Sequence, residues 1–323
     1  MKTALVCGAG GFFGSHFVKR LKQESYFVVG ADLKYPEFAP TVADAFLVMD
    51  LRKPPSIEYI FNTYKIDEVY QLASDVGGAG YIFSGNYDAD IMSNSALINI
   101  NIAKGSSQAK VKKLFFPSSS CVYPEFSKSY SDCTRDVAFP AQPANEYGWE
   151  KLFSERVYYA FKRNYGLDVR IARLNGFFGP EGTWEGGKEK APAAMCRKVA
   201  SAKDGDNIDI WGNGEQTRSY LYIDECIDGV RLLMEHEQSF EPLNIGGEET
   251  VSINQLVEMI IGISGKKLVL NHIEGPVGIQ ETYVDNRLVY KRLNWKPSQP
   301  LLKGLEQTYN WVYSQVHDKY KET

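Results

Sequence analysis

The chain has 323 residues, 44% hydrophobic and 24% charged, enough to bury a sizeable core and too many for one ordinary domain. Its formal net charge of −4 disfavours a nucleic-acid partner, and its apolar runs break well before the roughly 20 residues of a membrane span, so no membrane partner is expected. Five cysteines without CxxC spacing argue against a disulfide framework or a zinc knuckle, and fit a reducing, cytoplasmic setting with no bound metal.

The opening MKTALVCGAG carries a lysine and a short apolar stretch. It passes into a glycine loop without a small-residue cleavage site, so no secretory leader is expected. Apolar β-type runs follow at Thr3–Cys7, Phe27–Ala31, Glu68–Leu72, Lys113–Pro117 and Asp168–Leu174, separated by helix-length stretches. That alternation predicts an α/β fold built on a Rossmann-type, doubly wound parallel sheet. The Gly-, Pro- and Lys-rich stretch from Gly179 to Pro192 reads as a loop over a site. Helices are predicted at Pro192–Lys203, Asp224–Glu235, Ser252–Ile263 and Leu302–Gln315, with short strands around Asp209–Trp211 and Leu243–Ile245. The second half thus predicts a smaller, discontinuous α/β substrate domain over 176–218 and 247–323. A return segment near 219–246 rejoins the first domain, 1–175.

Within the first strand–loop–helix unit, Gly8, Gly11 and Gly14 form GxxGxxG, with Phe12 and Phe13 opening the helix. Glycines here permit a tight turn, close approach of backbone to a pyrophosphate and close helix packing, while the helix N-terminus favours the phosphate charge. Asp32 ends the second strand, where a carboxylate accepts hydrogen bonds from an adenosine ribose and repels a 2′-phosphate; this favours NAD over NADP as cofactor. Asp50 and Leu51, in MDLR after the third strand, either flank the adenine or form an ordinary turn.

Tyr147 and Lys151 stand four apart in YGWEK, on one face of a helix. A phenol with a pKa of about 10 is a poor base at neutral pH. A neighbouring ammonium favours the phenolate, which takes a proton from an alcohol as that carbon is oxidised. Ser119, closing the strand KLFFPSSS, stands at the sheet edge where ligands of such folds bind. A YxxxK pair alone is more often a surface pair that needs no function.

The succession of GxxGxxG, acidic strand end, serine at a strand end and YxxxK resembles the short-chain dehydrogenase/reductase superfamily. RSYLYIDE, PLNIGG and LNWKP resemble its extended, nucleotide-sugar branch. Three further segments, Ala73–Ile82, Ser118–Phe126 and Gly182–Lys198, resemble the GDP-mannose 3,5-epimerase family. That resemblance implies a redox-neutral epimerase: NAD oxidises the sugar at C4, a cysteine and a lysine exchange the acidified protons at C3 and C5, and C4 is reduced again. Cys121 and Lys190 fall at the two acid/base positions, where cations near the thiol and partial burial of the amine suit proton exchange. Their bland readings are a buried small residue and a member of a solvated basic face with Lys188, Arg197 and Lys198.

The resemblance also implies a GDP-hexose as the favoured nucleotide-sugar substrate, contacted by Gly77, Gly78, Ser119, Ser120, Cys121, Asn175, Glu189, Lys190, Ala191, Lys198, Gln216, Thr217 and Arg218. Arg218 suits diphosphate oxygens because a guanidinium binds them in a fork. It implies a homodimer through the Tyr147 helix and the one before it. Two departures stand out. Gln280, Glu281 and Thr282 occupy a segment where the family carries an arginine, and Asn175 sits one residue before the family's asparagine position, held here by Gly176. Competing readings are a nucleotide-sugar C4-epimerase or reductase, which needs neither Cys121 nor Lys190, a dehydratase, against which Ser120, Cys121 and Val122 stand where a Thr-Asp-Glu series is expected, and a non-catalytic NAD-sensing protein.

Overall fold

In the computed structural model, which describes residues 1–124, 138, 140–236, 241–275, 280–282 and 284–319, the apolar runs of the first half become strands buried on both faces. Strands β1 (Thr3–Cys7), β2 (Phe27–Asp32), β3 (Ala45–Val48), β4 (Glu68–Gln71), β5 (Lys113–Ser119) and β6 (Val169–Leu174) alternate with α1 (Phe12–Gln23), α2 (Pro54–Thr63), α3 (Ala79–Ile82), α4 (Asp88–Gln108) and α5 (Glu146–Tyr165). The second half supplies β7 (Phe177–Phe178), α6 (Ala191–Ser201), β8 (Asn207–Trp211), β9 (Thr217–Ser219), β10 (Leu221–Tyr222), α7 (Ile223–His236) and β11 (Leu243–Ile245). It ends with β12 (Thr250–Ser252), α8 (Ile253–Ser264), β13 (Val269–Ile273), β14 (Glu281–Thr282), α9 (Arg287–Leu293) and α10 (Leu301–Lys319).

The main sheet runs β11-β6-β5-β4-β1-β2-β3, and its pairs are parallel. The chain moves outward from β1 to β3, then crosses back to β4, so strand order reverses between β1 and β4. The crevice beyond the carboxyl ends of those strands is where such sheets bind ligands. Period-two alternation divides β1 between two core layers. Ala4 and Val6 pack with Phe17 and Leu21 of α1, while Leu5 and Cys7 pack with Ile57 and Ile60 of α2 and Ile102 of α4. Smaller sheets, β7–β10, β12-β9-β14 and β8–β13, lie in the second half.

Local chemistry sets the element ends. The Asn145 side chain accepts from the Gly148 amide at 2.8 Å and starts α5, which stops at Gly166 with φ of +70°. A reciprocal Ser252–Gln255 capping box starts α8. No helix among the described residues is long and apolar enough to cross a membrane.

Candidate active site at the carboxyl edge of the sheet

The glycine loop leaves β1 through Gly8, whose φ is +79° and where a Cβ would lie 2.7 Å from the Ala73 amide nitrogen. A Cβ on Gly14 would lie 2.0 Å from the Gly8 carbonyl oxygen, so α1 rests directly on the turn. Gly11 meets only that same oxygen, at 3.5 Å, and starts α1 with no side-chain cap. An open backbone face at an uncapped helix start suits a pyrophosphate. The Phe12 and Phe13 side chains serve another purpose: they pack on the Phe177 ring, with centroids 5.9 and 4.7 Å away.

Asp32 ends β2 and braces the loop, accepting from the Gly10 amide at 2.8 Å and the Leu33 amide at 2.6 Å. A carboxylate has about four lone-pair sites, which leaves room for ribose hydroxyls. Asp50 makes a turn of its own, beside the strand ends where an adenine would lie. It accepts from the Arg52 amide at 3.0 Å and from the Arg52 guanidinium at 2.8 and 2.9 Å, and that guanidinium holds its carboxyl below the usual range. Leu51 beside it is buried.

Ser119 is the last residue of β5, and its hydroxyl accepts from the Cys121 amide at 3.2 Å, capping a single 3-10 turn over Ser120–Val122. Cys121 and Tyr147 both pack against the cluster of Tyr81, Ile82 and Ile91. One turn along α5, the buried Lys151 places its Nζ 5.5 Å from the Tyr147 ring centroid and 4.9 Å from that of Phe116. Burial lowers the Lys151 pKa, opposed by the Glu150 carboxylate 4.0 Å away and by Cys121. The expectation that the ammonium leaves Tyr147 readily ionised needs correction. Burial pushes the phenol up, Cys121 and Glu150 add to the rise, and a hydrogen bond with Ser119 opposes it.

The Cys121 expectation is corrected in the same way. Burial pushes the thiol up, against the pull of Ser119 and of the charges on Arg218, Lys190 and Lys151. It rests as a thiol among three cations. Lys190, the residue preceding α6, is lowered to about 8 by burial, opposed by Cys226 and Cys121. Its ammonium donates to the Phe177 carbonyl at 3.3 Å and lies 3.6 Å from the Phe177 ring centroid. Ser119, Cys121, Tyr147, Lys151, Lys190 and Arg218 are thus linked by direct contact or by mutual charge interaction.

The expected substrate contacts divide. Gly77 and Gly78 do not open onto free space: a Cβ would lie 2.7 Å from Tyr81 Cβ and 2.1 Å from the Glu189 carbonyl oxygen, respectively. The Gly78 amide donates to the Lys188 carbonyl at 2.9 Å, so these glycines pack the loop after β4 against the loop that carries Lys190. Asn175 is likewise spoken for. Its Oδ1 accepts from the Ser120 hydroxyl at 2.8 Å and its Nδ2 donates to Ser219 Oγ at 2.8 Å. At the next residue, Gly176, φ is +55° and a Cβ would lie 2.4 Å from the Ser219 carbonyl oxygen.

Glu189 turns to its own loop, accepting from the Gly187 amide at 2.6 Å and Arg197 at 3.3 Å, and Ala191 begins α6. Lys198 donates to the Asp209 carbonyl at 2.5 Å. Gln216 is buried; its Nε2 donates to the Trp211 carbonyl at 3.3 Å, and its Oε1 has no hydrogen-bond partner among the described residues. In β9 the Thr217 amide donates to the Gln280 carbonyl at 2.9 Å, and Arg218 Nη1 donates to the Thr217 carbonyl at 2.7 Å. β14 therefore holds β9 by backbone where the family carries an arginine; residues 276–279 of this segment lie outside the described residues.

Sequence reasoning missed Phe177, the aromatic floor under Lys190, for which FFGP gives no specific signal. It also missed Asp75, which accepts from Tyr81, Asn94 and Lys188 at 2.9, 3.0 and 3.3 Å and ties the Gly77–Gly78 loop to the Lys190 loop. Glu155 was missed although it repeats the four-residue spacing of Tyr147 and Lys151 along α5.

A model of the NAD dependent epimerase/dehydratase family matches residues 4–246. The GDP-mannose 3,5-epimerase of Arabidopsis thaliana is 39% identical over 316 residues, covering 96% of this chain and 82% of that protein. Among solved structures, UDP-glucose 4-epimerase of Thermotoga maritima with UDP-glucose superposes with a TM-score of 0.86 at 25% identity, covering 97% of this chain and 99% of that one. UDP-glucuronic acid 4-epimerase of Bacillus cereus, solved with UDP-glucuronic acid and NAD, gives 0.82 at 26% identity over the same shares. Sheet order, glycine cradle and sequence agree: the chain belongs to the NAD dependent epimerase/dehydratase family.

Proposed function

We propose that the chain is an NAD-dependent nucleotide-sugar epimerase that converts GDP-mannose to GDP-L-galactose, with inversion at C3 and C5. The observation that carries this reading is the pairing of Cys121 and Lys190, coupled by charge, with the Tyr147–Lys151 set. Epimerisation at C4 alone needs neither the thiol nor the amine. Curated relatives that align over 96% of the chain support the same choice.

Bound NAD supplies reversible two-electron oxidation at sugar C4. Gly11, Phe12 and Phe13 would hold the pyrophosphate by backbone, with Gly8 making the turn and Gly14 seating α1 on it, and Asp32 would hold the ribose. Tyr147 moves the proton at the C4 oxygen, steadied by the Ser119 hydroxyl and kept in register by Lys151. A carbonyl at C4 acidifies the protons on C3 and C5. Cys121 and Lys190 then serve as an acid/base pair, the amine being the member that loses its proton near neutrality. Arg218 holds the diphosphate, its strand set by the Gln280 carbonyl.

The division into a cofactor domain over 1–175, rejoined near 219–246, and a substrate domain over 176–218 and 247–323 belongs to the same proposal. So does a homodimer through α4 and α5 in a cytoplasmic setting.

Incubation with GDP-mannose in heavy water is the test. Deuterium appears at C5 and C3 without net NADH, and Cys121→Ala loses that wash-in while still oxidising C4. Absence of wash-in from the unaltered protein sinks the reading, and full turnover by Cys121→Ala favours C4 epimerisation.

A further inference from the structure

Glu155 on α5 and Arg173 on β6 form an ion pair whose side chains are each only 2% exposed. The contact is two-pronged, Arg173 Nε to Oε1 at 2.9 Å and Nη2 to Oε2 at 2.8 Å. Burying such a pair is costly unless its remaining donors and acceptors are filled, and replacement by apolar side chains is often neutral or stabilising. What fills them is specific. The Ser118 hydroxyl donates to Glu155 Oε1 at 2.5 Å, and Arg173 Nη1 donates to the Tyr123 hydroxyl oxygen at 3.2 Å. The guanidinium carbon lies 5.0 Å from the Tyr123 ring centroid, and that hydroxyl in turn donates to Asn244 Oδ1 on β11 at 2.7 Å.

Ser118 and Tyr123 are the residues that bracket Ser119–Val122, the turn with the candidate catalytic serine and cysteine. One buried ion pair therefore grips the turn at both ends. Its carboxylate comes from the same face of the helix that carries Tyr147 and Lys151. The turn and that helix also touch by backbone, since a Cβ on Gly148 would lie 2.2 Å from the Cys121 carbonyl oxygen.

We propose that Glu155, Arg173 and Tyr123 are positioning residues: the ion pair clamps the Ser118–Tyr123 turn to the Tyr147 helix and fixes where the Cys121 thiol stands relative to the C4 machinery. The proposal rests on the reading of Cys121 as a proton-exchange group. A loosened clamp acts unequally on the two halves of the reaction: Ser119, which steadies the C4 oxygen, stays held in β5 by its pairing with Leu174 of β6, whereas Cys121 lies beyond the strand end and depends on the turn.

The experiment uses full-length Glu155→Gln and Tyr123→Phe, the second removing a single hydroxyl if the first fails to fold. Deuterium wash-in from heavy water into GDP-mannose is compared with C4 oxidation in a single turnover, read by reduced-nicotinamide absorbance. Misplacement by an ångström costs up to about a hundredfold in rate. Wash-in is expected to fall roughly tenfold to a hundredfold, C4 oxidation by far less. Equal losses in both steps, or a ratio unchanged from the unaltered protein, overturn the clamp. A second measurement stands apart from activity: iodoacetamide labelling of Cys121, followed by peptide mass, is expected to accelerate in both variants, and unchanged labelling overturns the clamp. Wash-in missing from the unaltered protein defeats the epimerase reading instead, with the clamp then judged on labelling.

Discussion

Lys190 and Cys121 are a titrating pair that burial drives toward neutrality from opposite sides, the amine down to about 8 and the thiol up. Below a pH of about 8 the amine is an ammonium and the pair holds no base; above it, a free amine faces a protonated thiol. The rate of deuterium wash-in should therefore rise with pH through about 8 and level off while the thiol keeps its proton. Lys190→Arg keeps the positive charge at every accessible pH, so it should lose wash-in by roughly a hundredfold or more without recovering at alkaline pH. A pH–rate profile of wash-in for the two proteins checks both statements. A flat profile for the unaltered protein would mean that another group sets the exchange.

At the scale of elements, the placement of Lys190 depends on two loops meeting backbone to backbone. The Gly78 amide bonds the Lys188 carbonyl, Asp75 pairs with Lys188, and the Lys188 ammonium lies 4.0 Å from the Tyr81 ring centroid. Gly78→Ala would thrust a methyl into the Glu189 carbonyl, 2.1 Å away. Something must shift, and the freer partner is the 188–190 loop. We expect wash-in to fall roughly tenfold or more through displacement of Lys190, with a melting temperature close to that of the unaltered protein because the clash lies between loops outside the main core. Kinetics and thermal unfolding on one sample decide it; a large loss of melting temperature would place Gly78 among core-packing residues. The same pair shows what was legible. GGAG marks a place without side chains, but the partner that needs the space lies far along the chain, and local pattern carries no signal for it. Strands β1 and β2 were readable because burial on both faces forces near-continuous apolar runs, and β4, β5 and β6 because enough apolar residues flank their buried polar ones. The Asp50 turn, the Asn175 bracket and the Glu155–Arg173 pair were not, since polar residues in the interior declare their partners only once the strands are side by side.

For the whole molecule, the two helices beside the site each leave large apolar side chains exposed. Met92 and Leu97 of α4 are 38% and 48% exposed, and Trp149 and Phe153 of α5 are 41% and 48% exposed. Trp149 and Phe153 stand one turn apart and so share a face. Exposed apolar residues are ordinary singly, but two adjoining helices that each present them mark a surface that gains by being covered. A second copy related by a two-fold axis would cover it with the same patch and form a four-helix contact. Dimerisation would then act on catalysis, because α5 carries Tyr147, Lys151 and Glu155, and a helix held on its outer side keeps all three in register. Leu97→Glu combined with Phe153→Glu places two carboxylates in that surface on each copy. Sedimentation should show a particle of twice the chain mass for the unaltered protein and of one chain mass for the double variant, with turnover reduced while the far-ultraviolet circular dichroism is retained. A double variant that still sediments as a dimer would move the interface to another face of the molecule.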